Sequence, residues 1–164
     1  MKRLHVSRTI DVPAAAVWDL LTDTDQWPTW GPSIRAATCD TPVFGLGSTG
    51  TVTAVGGLRL AYTVTAFEPG QSWSWRIHRR TQRPREKRDG GGVERLRGSW
   101  WSGGVPATDH SVEDMGPGRC RVTFGVPAVL WPYLAVCAVA LRRIDRLSAS
   151  FKGQSAPMSV QPAE

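Results

Sequence analysis

The side chains in this 164-residue sequence that could do chemistry are few and scattered. Its three histidines, His5, His78 and His110, have none of the H-E-x-x-H spacing that would bring two imidazoles to one metal. Its three cysteines, Cys39, Cys120 and Cys137, form an odd set without a C-x-x-C pair. That argues against a zinc site and a secreted disulfide framework, and for a reducing compartment. Gly45–Gly50 reads GLGSTG, a match to G-x-G-x-x-G. A dinucleotide site needs a helix directly behind such glycines, whereas Thr51–Val55 is β-branched and strand-forming. The segment reads as a turn between strands. Neither a metal nor a cofactor is expected.

Acid–base chemistry needs groups within reach of one substrate and with pKa values tuned by burial. Period-two alternation sorts the strand-like runs into two faces. Leu58, Leu60, Tyr62 and Val64 share one face, as do Trp73 with Trp75, His110 with Val112, and Cys120, Val122 and Phe124. The opposite faces carry Arg59, Thr63, Ser72, Ser74, Arg76, Asp109, Ser111, Glu113, Arg119 and Arg121, a set suited to water. The inner polar groups reduce to Tyr62, His110, the indole N–H groups and two thiols. There is no inward carboxylate pair and no Ser–His–Asp set. His110 and Tyr62 are the catalytic candidates, with a hydrogen-bonded core histidine as the plain alternative for His110. An imidazole in such surroundings should have its pKa lowered by desolvation.

These positions require elements to hold them. LHVSRTI reads as a strand, and DVPAAAVWDLLTD as a helix with Pro13 at its start and Val17, Leu20 and Leu21 on one face. DQWPTWGP reads as a second, short helix capped by Asp25. Six further strands follow between Ser33 and Phe124, separated by Gly/Pro turns. Leu130, Leu134, Cys137, Leu141, Ile144, Leu147 and Phe151 recur every three or four residues, which predicts one long terminal helix. An antiparallel sheet with one apolar face needs a cover, and this helix is the element long enough to provide it.

The stretches IDVPAAAVWDLLTDTDQWPTWGPSI, FEPGQSWSWRI, GVPATDHSVED and VPAVLWPYLAVCAVALRRIDRL resemble the polyketide cyclase/dehydrase-like branch of the START-like SRPBCC superfamily. The resemblance covers residue 3 to about 150 apart from the basic stretch and implies an α+β helix-grip fold. In that fold a curved antiparallel sheet of about seven strands wraps a long C-terminal helix, with a cavity between them. Eight tryptophans in one small chain, facing the small side chains of AVCAVA on the helix, fit either a filled core or a void, and it is the resemblance that favours the void. Its expected lining is Trp30, Leu60, Tyr62, Trp73, Trp75, His110, Phe124, Leu134 and Cys137. The implied function is binding of a hydrophobic, aromatic or polyketide-like small molecule. A cyclase or dehydratase using His110 or Tyr62 is the alternative.

The formal charge of +6 lies in one place: nine Arg/Lys against three acids between Arg76 and Arg97, with the remainder neutral. Residues 78–102 read as a basic insertion in a single domain spanning 1–152, followed by a disordered tail over 153–164. Through 78–101 the insertion offers weak contact with anionic membrane or nucleic acid, or is a solvated charged loop. No signal peptide is visible. The longest apolar run, Val126–Leu141, is 16 residues and contains two prolines, below the roughly 18–20 needed to span a bilayer. A cytoplasmic location is expected; nothing in the pattern specifies an oligomeric state.

Overall fold

Seven segments with alternating patterning become strands: β1 (Arg3–Ile10), β2 (Ile34–Cys39), β3 (Thr49–Ala54), β4 (Arg59–Glu68), β5 (Ser72–His78), β6 (Val105–Asp114) and β7 (Cys120–Pro127). In this computed structural model, which describes residues 2–78 and 105–154, they form one sheet in the order β1-β7-β6-β5-β4-β3-β2. All six pairings are antiparallel. Between β1 and β2 lie helix α1 (Ala14–Thr22), a 3-10 turn (Thr24–Gln26) and helix α2 (Trp27–Trp30). Helix α3 (Tyr133–Gln154) follows β7 and packs against β1, β7 and α2. This is the helix-grip arrangement. The basic insertion, apart from His78, and most of the expected disordered tail lie outside the described residues, as does the side chain of Phe151.

The apolar face of α3 buries Cys137, Leu141 and Ile144, while Arg142, Arg143 and Arg146 stay in solvent. Asp145 holds Arg8 of β1 at 2.6 Å, fastening the helix to the sheet edge. Three local expectations are corrected. Leu58 is exposed because Gly56 and Gly57, both at positive φ, turn the chain there and β4 begins one residue later. Leu130 belongs to a separate 3-10 turn, since Pro132 has no N–H to continue a helix through it and α3 starts at Tyr133. Asp25 does not cap α2; instead the Asp23 carboxylate accepts its backbone N–H at 3.0 Å at the start of the preceding turn.

Gly45–Gly50 is the turn leading into β3, with no helix behind it. Its last glycine has a packing reason. A Cβ at Gly50 would lie 1.9 Å from the Thr38 carbonyl oxygen and 2.6 Å from the Tyr62 hydroxyl, so only a bare backbone fits there.

Candidate functional site

The strand register assembles a row of rings. Phe67 lies opposite Trp73, Trp73 opposite His110, and His110 opposite Phe124, spanning β4 to β7. Trp75 faces the same side two residues on, at a register shift between β5 and β6. That irregularity sets it beside Thr108, whose Oγ1 accepts the indole N–H at 2.9 Å and lies 3.2 Å from His110 Nε2. Thr108 and His110 are both buried, as the alternation of β6 requires.

Helix α2 supplies the opposing rings. The last four carbonyls of a helix lack partners within it, and α1 is no exception. The Trp27 indole donates to Leu21 O at 2.9 Å and the Trp30 indole to Leu20 O at 3.1 Å. Two tryptophans thereby cap α1 and turn their rings onto the sheet. Trp27 stacks on Trp73 with centroids 5.5 Å apart and planes within 7°, and Trp73 stacks on His110 at 3.9 Å and 18°. Trp30 meets Phe124 at 5.8 Å.

Between these rings and α3 remains a cavity of about 30 Å³, walled by Trp30, Trp73, Trp75, His110 and Phe124 on one side and Cys137 and Ala140 on the other. That is room for little more than a water molecule. The void expected from large rings facing small helix residues is thus mostly closed, because Trp27 inserts between α1 and the sheet and takes up the space. Pro32, Ser33, Ile34 and Tyr133 mark the mouth, where the Ser33 and Tyr133 hydroxyls are hydrogen-bonded at 2.6 Å. Val129 and Trp131, just before α3 in sequence, are exposed apolar side chains.

Of the expected lining, Trp30, Trp73, Trp75, His110, Phe124 and Cys137 surround the cavity; Leu60, Tyr62 and Leu134 do not. Tyr62 sits under Trp27 and Trp75, opposite Gly50, and its hydroxyl donates to Thr38 O at 3.0 Å. Leu60 is only half-buried near the start of β4, and Leu134 packs on the core from the first turn of α3. Trp27, Thr108, Ser33 and Tyr133 were not anticipated. The parity of β6 already pointed Thr108 inward, two residues before His110. Trp27 belongs to a helix too short for a periodic signal and Ser33 to no element, while Tyr133 stands at the first residue of α3, outside the Leu134, Cys137 and Leu141 spacing.

Electrostatically the site is neutral. Burial pushes the His110 imidazole down to about 3, opposed by the main chain of Trp73 and reinforced by the Arg3 charge. Burial also lifts the Cys137 thiol to about 11 and raises the Tyr133 and Tyr62 phenols, so none of them ionises near neutrality. Among the described residues no carboxylate lines the cavity. Among the described residues no three His, Cys, Asp or Glu side chains converge as a metal site would require. None of the helices described is long and apolar enough to cross a membrane.

A family model described as polyketide cyclase/dehydrase and lipid transport matches residues 1–127, which span the whole sheet, α1 and α2. The chain belongs to that family. Solved structures agree on the fold of this cyclase/dehydrase-family protein. A START superfamily protein from Mycobacterium smegmatis matches with TM-score 0.60 at 10% identity, over 91% of this chain and 98% of the other. Norcoclaurine synthase from Thalictrum flavum, a point mutant in complex with a transition-state analogue, matches with TM-score 0.58 at 12% identity, over 92% and 96%. The di-domain ARO/CYC BexL matches with TM-score 0.58 at 12% identity, over 96% of this chain and 48% of its own. No match to a curated protein was found.

Proposed function

We propose that this family member binds a small, apolar, ring-containing molecule between the β5–β6–β7 rings and α3. The observation that carries this reading is the wall itself: seven ring side chains, six aromatic and one imidazole, line one cavity with a partly exposed mouth. Ligand sites of this kind are mostly apolar with a few placed polar groups. The closed cavity is far smaller than the roughly 300 Å³ at the low end of small-molecule sites. Binding therefore requires the mouth to open, with the Ser33–Tyr133 hydrogen bond as the contact to break.

Acid–base turnover has weaker support. A base whose pKa lies near 3 is mostly unprotonated but too weak to take protons well at neutral pH, and the Tyr62 hydroxyl is committed to a backbone carbonyl away from the cavity.

Native mass spectrometry of protein from its own host, with tryptophan-fluorescence titration by apolar aromatic compounds, tests the reading. A retained small molecule or a saturable response is expected. Trp73→Ala should weaken that response far more than Ser74→Ala, which alters the other face. The absence of both retained ligand and saturable response would overturn it.

A further inference from the structure

We propose that the end of the domain carrying the cavity mouth docks on an anionic lipid bilayer. Exposed apolar side chains on two of its turns enter the interface, and unpaired basic side chains beside them meet the headgroups. The proposal stands apart from the binding reading above, since it needs no ligand in the cavity.

The strand register sorts the connections to two ends of the sheet. Arg3 lies opposite Pro127, Ile77 opposite Val105, Ala61 opposite His78, Thr53 opposite Arg59 and Ile34 opposite Ala54. The starts of β1, β2, β4 and β6 therefore share one end with the finishes of β3, β5 and β7. Hydrogen bonds join three connections there around the mouth. The Val55 N–H donates to Ser33 O at 2.9 Å, and the Ser33 and Tyr133 hydroxyls meet at 2.6 Å. Trp131 precedes Tyr133 by two residues, and its carbonyl accepts the Leu134 N–H at 3.1 Å. Val55 and Leu58 on the β3–β4 turn, and Val129 and Trp131 between β7 and α3, are between 61% and 71% exposed.

Exposed apolar side chains are ordinary by themselves, and the opposite end has Val43 and Leu46 between β2 and β3. Charge separates the two ends. Exposed Arg35 and Arg59 follow Ile34 and Leu58 directly, and exposed Lys2 adjoins the β7–α3 connection, its carbonyl accepting the Ala128 N–H at 2.9 Å. Among the described residues none of these three has an ion-pair partner, and the turns at 31–33, 55–58 and 128–132 hold no acid. At the opposite end stand Asp11, Asp40, Glu68, Glu113 and Asp114, against Arg119 and Arg121, which are paired with Asp11 and Glu113. Of the other described acids, Asp109 and Asp145 are paired with Arg3 and Arg8, and Asp19, Asp23 and Asp25 sit on α1 and just after it. The sheet is thus basic and apolar at the mouth and acidic at its other end. The stretch between His78 and Val105 joins the sheet at the basic end, and its sequence holds eight Arg/Lys against three acids.

An anionic bilayer matches both properties. Its surface potential attracts basic side chains, and its boundary takes up Trp, Leu and Val. Indole and phenol rings such as those of Trp131 and Tyr133 suit headgroup depth. A nucleic acid would satisfy the cations through its phosphates but leave the apolar turns in water.

Co-sedimentation of the full chain with phosphatidylglycerol–phosphatidylcholine vesicles tests this. Binding should weaken as salt rises and be far weaker to phosphatidylcholine alone. Leu58→Ser and Trp131→Ser should each lower the partition coefficient about tenfold. Leu46→Ser, at the acidic end, should leave it unchanged. Absence of binding to anionic vesicles overturns the proposal. So does binding that survives both Leu58→Ser and Trp131→Ser, because the basic stretch alone would then explain it. An equal loss with Leu46→Ser, or duplex DNA bound more tightly than vesicles and indifferent to these substitutions, overturns it too. The substituted side chains lie in solvent, so the variants should keep the wild-type circular dichroism; were one not to fold, Val55→Ser reads the same face. None of these outcomes bears on what the cavity binds.

Discussion

Burial of His110 should make stability depend on pH in a defined window. Its pKa is about 3 in the folded chain against an ordinary 6.5, so the unfolded chain binds a proton that the folded chain refuses between those values. Where the unfolded state binds more protons, stability falls as pH falls. Well above pH 6.5 the imidazole is neutral in both states and contributes nothing to the slope. Below that pH the loss approaches about 1.4 kcal/mol per pH unit, and it levels off only below the folded-state value. Going from pH 6.5 to 4.5 should therefore remove roughly 2–3 kcal/mol, a large share of the stability of an ordinary domain.

Other groups titrate in the same range, so a difference measurement is needed. His110→Phe keeps a ring against Trp73 and Phe124 but cannot take a proton. Urea denaturation of both proteins at half-unit steps from pH 4.5 to 8 gives two stability curves. Titratable groups elsewhere occur in both proteins and largely cancel in the difference. The wild-type curve should drop relative to the variant below pH 6.5 by the amount above. Curves that stay parallel across the range would refute the buried, neutral placement of His110.

Gly50→Ala should cost at least about 3 kcal/mol and lower the thermal midpoint by roughly 6–12 °C, because the new methyl meets a backbone carbonyl that cannot move without parting β2 from β3; a midpoint within 2 °C of wild type would contradict the close approach. Ser33→Ala and Tyr133→Phe each remove the bond across the mouth, and stopped-flow fluorescence should show indane entering severalfold faster in both, consistent with about 1 kcal/mol for a net hydrogen bond; unchanged rates would place the entry elsewhere. A chain lacking residues 81–98 should still melt cooperatively, since the core described above is built from residues outside that stretch. Its loss should also weaken any salt-sensitive binding to anionic vesicles, since it removes six Arg/Lys and three acids, 6 − 3 = +3 of the chain's +6 excess.

Alternation made much of the sheet legible because it is local. Two-residue spacing alone puts Trp73, Trp75, His110, Val112 and Phe124 on one side, and the register then brings them together. The same rule failed at Leu58, where two glycines at positive φ end the strand before the pattern does. The role of α2 was hidden for a different reason. Four residues cannot display a 3.6-residue period, and Trp27 acquires its place from the unpaired carbonyls at the end of α1. Tyr62 shows the limit of parity: facing inward did not bring it to the cavity, since position along the strand decides which inward residues meet. Cavity volume is less legible still. It is a small remainder after large ring volumes are packed together, and one indole more or less changes it from a site to a filled core.

The hydrogen bonds around the cavity also say which wall can move. Lifting α2 would pull the Trp27 and Trp30 indoles from Leu21 and Leu20, leaving two indole donors and two helix-end carbonyls to be satisfied again, and would break the Trp27–Trp73 stack. Each of those losses has its own cost, and they fall together. The start of α3 is held across the mouth by one hydroxyl pair, and Pro132 separates it from the preceding turn. Tyr133 there is already 37% exposed and Trp131 65% exposed. Opening should thus proceed by displacement of the first turn of α3, with α2 and the stacked rings staying on the sheet. The stacked rings of Trp27, Trp73 and His110 belong to that stationary wall, so a ligand entering past Tyr133 would meet them already in place. Their orientation is then fixed before binding, which limits the entropy lost on association.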